Sequence, residues 1–272
     1  MAHTSTTAFT EKKVVIGGET IAYYDNEKGE TTLLFVHGAF IKKEYWNAQL
    51  AAFSSTYRVV ALDLAGHGNS SGNGNDWSFE KYGHNLNEFI SKLALNKVII
   101  IGHSNGADIM IEAVAENSAN VIGIVGVDYF KNVGVPLPEE MIKQTIASLK
   151  ADFANTNENY AKQALLTAKT NHAIADRVVK DFREMSPGVG IPFNESAFNY
   201  TIREVELLKK LHLKLHLINA DYVPTNEENL KKQVGDNYDL NIINGTSHFP
   251  MIENSEAFNK ALKEVLSKIK PS

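Results

Sequence analysis

The chain repeats short, nearly continuous runs of valine, isoleucine and leucine, separated by longer helical or loop segments. The six clearest runs are Leu33–Val36, Val59–Leu62, Val98–Ile101, Val121–Val127, Leu211–Ile218 and Leu240–Ile243. Strands with unbroken apolar runs, instead of alternating ones, are typical of parallel sheets that helices cover on both faces. The sequence therefore predicts an α/β fold with a mostly parallel, doubly wound sheet.

The beginning of the sheet is predicted to be antiparallel. Two shorter runs, Lys13–Ile16 and Ile21–Tyr24, flank the pair Gly17-Gly18. Two glycines between strand-like runs are typical of a tight hairpin turn. We therefore expect an antiparallel hairpin at one edge of an otherwise parallel sheet.

The strand–helix alternation stops between Val127 and Leu211, and helical patterns replace it. The predicted helices are Glu139–Lys150, Glu158–Thr170, Ala173–Glu184 and Glu195–Leu208, with breaks at Ser186-Pro187-Gly188 and Ile191-Pro192. The simplest interpretation is a helical cap inserted into one α/β domain. The prediction is a core domain formed by residues 1–130 and 209–272, with residues 131–208 as the cap.

Composition excludes several classes of function. The 272 residues are 43% hydrophobic and 22% charged, which is typical of a folded globular protein. A net charge of −5 without a basic stretch argues against nucleic acid as a partner. The chain has no cysteine and no histidine spacing typical of a metal site, so we expect no metal and no cofactor.

Membrane association and secretion are not predicted either. No apolar stretch has the length of a membrane-spanning helix, and Met1–Thr7 lacks the pattern of a secretion signal. We therefore expect a cytoplasmic protein with no membrane partner. The sequence leaves open whether the protein is a monomer or a homodimer.

The strongest chemical motif follows the strand Val98–Ile101. Gly102-His103-Ser104-Asn105-Gly106 has the pattern G-x-S-x-G, and an apolar helix follows it. In a strand–turn–helix setting, this pattern places the serine on a sharp turn above the carboxyl edge of the sheet. Ser104 is therefore the candidate nucleophile. The N–H group of Asn105, at the start of the helix, is a candidate hydrogen-bond donor to a developing negative charge.

A second donor is predicted from the turn that follows Leu33–Val36. Stabilising an oxyanion requires two donors that converge on one point, and the Ala39 N–H lies at the carboxyl end of a neighbouring strand. His37, in the same turn, is expected to brace the loop. The segment Asp63–Ser70 contains G-x-G but lacks the third glycine of a dinucleotide-binding loop, which argues against nucleotide binding.

The candidate base is His248, in the loop directly after the last strand. Imidazole titrates near neutral pH and serves well as a general base. Such a histidine needs a carboxylate that fixes its tautomer. Asp221, after the strand Leu211–Ile218, is the favoured acid, and Asp128, after Val121–Val127, is the alternative. The aspartate without this role is expected to cap a loop or to lie in the pocket.

Taken in order, these motifs resemble the α/β-hydrolase superfamily. The shared features are a His-Gly turn, D-x-x-G-x-G-x-S at Asp63–Ser70, G-x-S-x-G, an acid, and G-x-x-H at Gly245–His248. The resemblance implies an eight-stranded sheet, with Ser104, His248 and Asp221 as a triad and the Ala39 and Asn105 N–H groups as an oxyanion hole. It also implies that the cap covers the pocket. The segment around Asp221 departs from the usual family pattern, which keeps Asp128 open.

The predicted function is that of a serine hydrolase acting on a small-molecule carboxylic ester through an acyl-enzyme. The cap is apolar without a basic cluster, which favours a small to medium, largely uncharged substrate. The candidate pocket walls are Phe40, Trp46, Tyr129 and Phe130. Alternatives are a carbon–carbon bond hydrolase or a lactonase with the same triad and, less favoured, a non-catalytic receptor or a lyase.

Overall fold

The computed structural model describes residues 9–269 of the chain. The N-terminal stretch Met1–Thr7, interpreted above, lies outside the described residues. So do the outermost ends of the predicted core domain, residues 1–8 and 270–272.

One eight-stranded sheet forms the centre of the molecule, in the order β1-β2-β4-β3-β5-β6-β7-β8. Its strands are β1 (Lys12–Ile16), β2 (Glu19–Asp25), β3 (Thr32–Val36), β4 (Arg58–Leu62), β5 (Val98–His103), β6 (Val121–Val127), β7 (Leu215–Ala220) and β8 (Tyr238–Ile243). β2 pairs antiparallel with β1 and β4, and all other pairs are parallel. The predicted α/β fold with a mostly parallel sheet is confirmed.

The local sequence explains this arrangement. Every residue of β3 and β5 is buried, as expected for strands covered on both faces. At the antiparallel edge, Gly17 and Gly18 have φ angles of +58° and +86°, which glycine adopts without strain in a two-residue hairpin turn. The N-terminal hairpin prediction is therefore also confirmed. β7 begins at Leu215, four residues later than the apolar run suggested.

Helices cover both faces of the sheet. Those before β6 are α1 (Asn47–Phe53), α2 (Phe79–Lys92) and α3 (Asn105–Glu116), with a 3₁₀ turn at Lys43–Trp46. Those between β6 and β7 are α4 (Glu139–Ala151), α5 (Phe153–Tyr160), α6 (His172–Glu184), α7 (Pro187–Asn199) and α8 (Thr201–Lys209), with a π-helical segment at Ala161–Leu165. Those after β7 are α9 (Glu227–Val234), α10 (Pro250–Glu253) and α11 (Ser255–Lys268).

The segment predicted to be a cap, residues 131–208, thus contains α4 to α7 and all of α8 except its last residue, Lys209. The predicted break at Ile191-Pro192 is wrong, because α7 continues through Pro192. Proline removes one backbone hydrogen bond from a helix, but Phe193, directly after it, is fully buried. Its ring packs against Phe40, Phe79 and Tyr82 of the core, and this contact holds the helix together across the proline.

Between residues 9 and 269, no helix combines the length and the apolar character that are needed to cross a membrane.

Candidate active site

Ser104 lies on a strained turn between β5 and α3. Its backbone angles are φ 51° and ψ −132°, a conformation that L-residues rarely adopt and that is often found at functional sites. Glycines on either side make the turn possible, since a Cβ at Gly102 would lie 2.5 Å from the Gly106 carbonyl oxygen and one at Gly106 would lie 2.6 Å from the His37 carbonyl oxygen. The chain therefore folds tightly enough to lift the serine above the sheet.

The turn after β3 lies directly beside Ser104. A Cβ at Gly38 would lie 2.8 Å from the Ser104 Cβ, so only glycine permits this approach. Ala39 and Asn105 both line the cavity that contains Ser104. α3 begins at Asn105, and the first N–H groups of a helix have no partner within the helix. Both predicted oxyanion donors thus belong to residues next to the serine.

His37 braces this turn from beneath. Its Nε2 accepts a hydrogen bond from the Leu64 N–H at 3.0 Å, and its Nδ1 lies 2.7 Å from the Gly38 carbonyl oxygen. Burial lowers the pKa of His37 to about 4, so the ring is neutral and donates through Nδ1. This is the loop-bracing role that the sequence indicated.

His248 lies in the same cavity, and its Nδ1 is 2.6 Å from the Asp128 Oδ2. Its backbone carbonyl accepts a hydrogen bond from the His103 Nε2 at 2.8 Å. Burial lowers the pKa of His103 to about 3, so His103 is a neutral donor that holds the loop of His248 in place. Among the described residues, the Ser104 hydroxyl makes no hydrogen bond. In unliganded sites, the serine–histidine hydrogen bond often tightens only with substrate.

The acid assignment favoured from the sequence, Asp221, is corrected by this geometry. Asp221 is exposed, and its Oδ1 accepts a hydrogen bond from the Gly245 N–H at 2.8 Å, so it caps the turn that leads to His248. Asp128, the alternative, is fully buried and contacts the imidazole. After the end of β7, the side chain of Asp221 faces solvent and that of Tyr222 faces His248. The order of the residues in the sequence did not reveal these directions.

Two residues around Asp128 were not singled out from the sequence. The Lys131 Nζ lies 2.7 Å from Asp128 Oδ1 and 3.0 Å from the Ala220 carbonyl oxygen. The Tyr222 hydroxyl lies 3.2 Å from His248 Nδ1, and the Lys131 Nζ lies 4.3 Å from the centre of the Tyr222 ring. A lysine three residues after a strand-end aspartate was the available signal for Asp128.

Asp128 is held as an anion by its partners. Burial alone would raise its pKa, but the hydrogen bond from His248 and the charges of His248 and Lys131 outweigh burial and lower the pKa to about 2. The Ala220 N–H donates a further hydrogen bond to Oδ1 at 2.7 Å. The carboxylate therefore stays ionised at neutral pH and fixes the orientation of the His248 ring.

The cavity has a volume of about 620 Å³, the size of a small-molecule site. Of the predicted wall residues, Phe40, Tyr129 and Phe130 line it. Trp46 does not: it is fully buried below the site, against Phe35, His103 and Phe258, and is corrected to a core residue. Much of the remaining wall comes from the segment between β6 and β7 and is mainly apolar.

The cavity wall also contains a carboxyl group that the sequence did not indicate. Glu204 of α8 lines the cavity. Its carboxyl contacts that of Asp108, which is fully buried in α3. Asp108 Oδ2 accepts hydrogen bonds from the Tyr129 hydroxyl and from Asn105 Nδ2. This network therefore connects α8 to Asn105, the residue that follows Ser104.

Comparison with known proteins agrees with the fold. Residues 33–261 match the model of a family described as the alpha/beta hydrolase family. The chain belongs to this family. Among its relatives, a non-heme chloroperoxidase of Kitasatospora aureofaciens is 26% identical, covering 92% of this chain and 97% of that protein. A putative esterase/lipase of Haemophilus influenzae is 25% identical, covering 96% of this chain and 93% of that protein.

A solved structure of a thermophilic esterase from Thermogutta terrifontis superimposes with a TM-score of 0.82. The match covers 96% of this chain and all of that one, at 17% sequence identity. At this identity the likeness shows the fold alone. The names of the relatives describe different reactions, so the reaction of this protein is inferred from the residues of its own site.

Proposed function

We propose that the protein is a serine hydrolase that cleaves carboxylic esters of small to medium, largely uncharged molecules. The observation that carries the proposal is the contact of 2.6 Å between His248 Nδ1 and the buried Asp128 carboxylate, in a cavity that also contains the strained Ser104. Nucleophilic acyl transfer needs a serine on an accessible turn and a histidine whose orientation a buried carboxylate fixes, and this cavity contains both.

In the proposed first step, His248 Nε2 takes the proton from the Ser104 Oγ as that oxygen attacks the ester carbonyl carbon. The carbonyl oxygen becomes an oxyanion, which accepts hydrogen bonds from the Ala39 and Asn105 N–H groups. The carbon–oxygen bond to the alcohol then breaks, and His248 returns the proton to the departing alcohol. Losing one oxyanion donor typically costs about 2.7–4 kcal/mol of transition-state stabilisation.

In the second step, water attacks the acyl-enzyme, with His248 again taking the proton. The second tetrahedral intermediate then breaks the bond to Ser104 Oγ, His248 returns the proton to that oxygen, and the carboxylic acid is released. Asp128 stays ionised in both steps and stabilises the imidazolium that forms each time. The apolar walls at Phe40 and Phe130 favour an uncharged acyl or alcohol group.

The proposal is tested with p-nitrophenyl esters of increasing acyl chain length and with a serine-directed fluorophosphonate. We expect turnover and labelling by the natural protein, and loss of both in Ser104→Ala. Ser118→Ala, a change at an exposed serine beyond the end of α3, is the matched control and keeps both. Ester turnover that survives Ser104→Ala, or labelling at a different serine, contradicts the mechanism.

A further inference from the structure

A carboxyl pair at the wall of the cavity is not used by the proposed chemistry. Glu204, half-buried on α8, lines the cavity wall, and Asp108 lies behind it, fully buried on α3. The pair lies close to the reacting centre, because Asp108 Oδ2 accepts a hydrogen bond at 3.3 Å from the side chain of Asn105, the residue after Ser104.

The two carboxyl groups share one proton. Burial raises the pKa of Asp108 and of Glu204, and the contact between the two groups opposes a second negative charge. The Tyr129 hydroxyl and Asn105 Nδ2 both donate to Asp108 Oδ2, which favours the negative charge on Asp108. The buried Asp108 Oδ1 has no donor among the described residues other than this shared proton. One proton therefore lies between the Asp108 and Glu204 carboxyl groups and joins them.

This arrangement fixes what Glu204 offers to the cavity. With one side of the group joined to Asp108 through the shared proton, Glu204 presents a carboxyl oxygen, a hydrogen-bond acceptor, to the cavity. A polar acceptor in a mainly apolar wall discriminates between ligands, because a substrate that cannot donate a hydrogen bond leaves the acceptor unpaired.

We propose that Glu204 is a specificity-determining residue that binds a neutral hydrogen-bond donor, a hydroxyl group, on the substrate. This rests on the proposed function, since the hydroxyl belongs to the ester that Ser104 attacks. Glu204 is one contact, through Asp108, from the side chain of Asn105.

The test compares methyl esters of hydroxyalkanoic acids with matched esters in which a methyl group replaces the hydroxyl. Binding to the Ser104→Ala protein is measured by NMR titration, so the result does not depend on turnover. We expect the best hydroxy ester to bind about five- to tenfold more tightly than its matched partner, the effect of one neutral hydrogen bond. Adding Glu204→Leu should abolish the difference.

Two further variants separate recognition from a structural role. Glu204→Gln keeps both a donor for Asp108 and a carbonyl oxygen for the cavity, so it should retain the preference for the hydroxy ester. Glu206→Leu makes the same kind of change on the exposed face of α8 and should leave the preference intact. Retention of the preference in Glu204→Leu, or equal binding of all matched pairs by the Ser104→Ala protein, overturns the proposal. Absence of ester turnover in the natural protein contradicts the proposed function instead.

Discussion

Asp128 is the residue on which the proposed mechanism depends most. Its carboxylate oxygens lie 2.6–2.7 Å from three groups, the Ala220 N–H, the Lys131 Nζ and the His248 Nδ1. Asp128 follows the last residue of β6 and has a φ angle of 49°. This backbone conformation directs its side chain to His248. An aspartate in a regular strand continuation would direct its side chain elsewhere, so the local backbone conformation and the chemistry depend on each other.

Replacing each candidate acid separately discriminates between them. We expect Asp128→Asn to lower kcat by about four orders of magnitude, because an amide cannot hold the histidine tautomer or stabilise its charged form. Asp221→Asn keeps an acceptor oxygen for the Gly245 N–H, so its kcat should stay within about threefold of that of the natural protein. The assay is ester hydrolysis, with circular dichroism to verify folding. A severe loss in Asp221→Asn with a mild one in Asp128→Asn contradicts the assignment.

Lys131 gives the Asp128 carboxylate a positively charged partner besides the His248 ring. Burial lowers the pKa of Lys131, and the Asp128 carboxylate partly offsets this effect. In Lys131→Met, the carboxylate has only the histidine to neutralise it, which favours the charged imidazolium. We therefore expect the acid limb of the pH profile of kcat/KM to move to higher pH.

Lys131→Arg keeps the charge and should leave that limb near its original position. A purely structural role for Lys131 would lower the activity of the methionine variant equally at every pH. A pH profile of unchanged shape in Lys131→Met therefore contradicts the electrostatic role.

α7 packs against aromatic residues from the earlier part of the chain through Phe193. Phe193 is fully buried and packs against Phe40, which lines the cavity, and against Phe79 of α2. Phe193→Ala should lower the free energy of unfolding by about 3–5 kcal/mol, the usual cost of such a cavity. Urea denaturation measures this loss. Ile202→Ala, at a side chain that is 75% exposed on α8, is the control and should change stability by less than about 0.5 kcal/mol. Equal stabilities of the two variants would show that α7 is not anchored at Phe193.

The same elements show which features of the structure could be predicted from sequence patterns. The apolar runs of the sheet and the glycine-bounded turn at Ser104 are local signals, and both were predicted correctly. The error at Pro192 has another origin, because the helix is held by contacts of Phe193 with residues far away in the chain. Asp128 and Glu204 were misjudged or missed for a similar reason. Their roles depend on which side chains the packing of β6, α3 and α8 brings beside them.

In the molecule as a whole, the parallel strands bring the candidate catalytic residues together at one edge of the sheet. Ser104 follows β5, Asp128 follows β6 and His248 follows β8, so the carboxyl ends of these strands bring together residues far apart in sequence. The segment between β6 and β7 then covers this edge, and the His248 N–H donates to the Leu165 carbonyl oxygen of that segment at 3.1 Å. Excluding water in this way strengthens the electrostatic contacts of Asp128.

Because Asp128 is buried among these contacts, its ionisation is linked to the stability of the whole fold. Its pKa is lowered to about 2, below the value of about 3.9 for an aspartate in an unfolded chain. The resulting stability is present above the unfolded pKa and is lost as the pH falls through the folded one. The linkage amounts to roughly 2–3 kcal/mol. Asp128→Asn removes this contribution at every pH.

We therefore expect the difference in free energy of unfolding between the natural protein and Asp128→Asn to shrink by that amount as the pH falls from about 5 towards about 2. Urea denaturation at a series of pH values measures it. A difference that does not change with pH would mean that the Asp128 carboxylate is not stabilised by His248 and Lys131 in the folded protein.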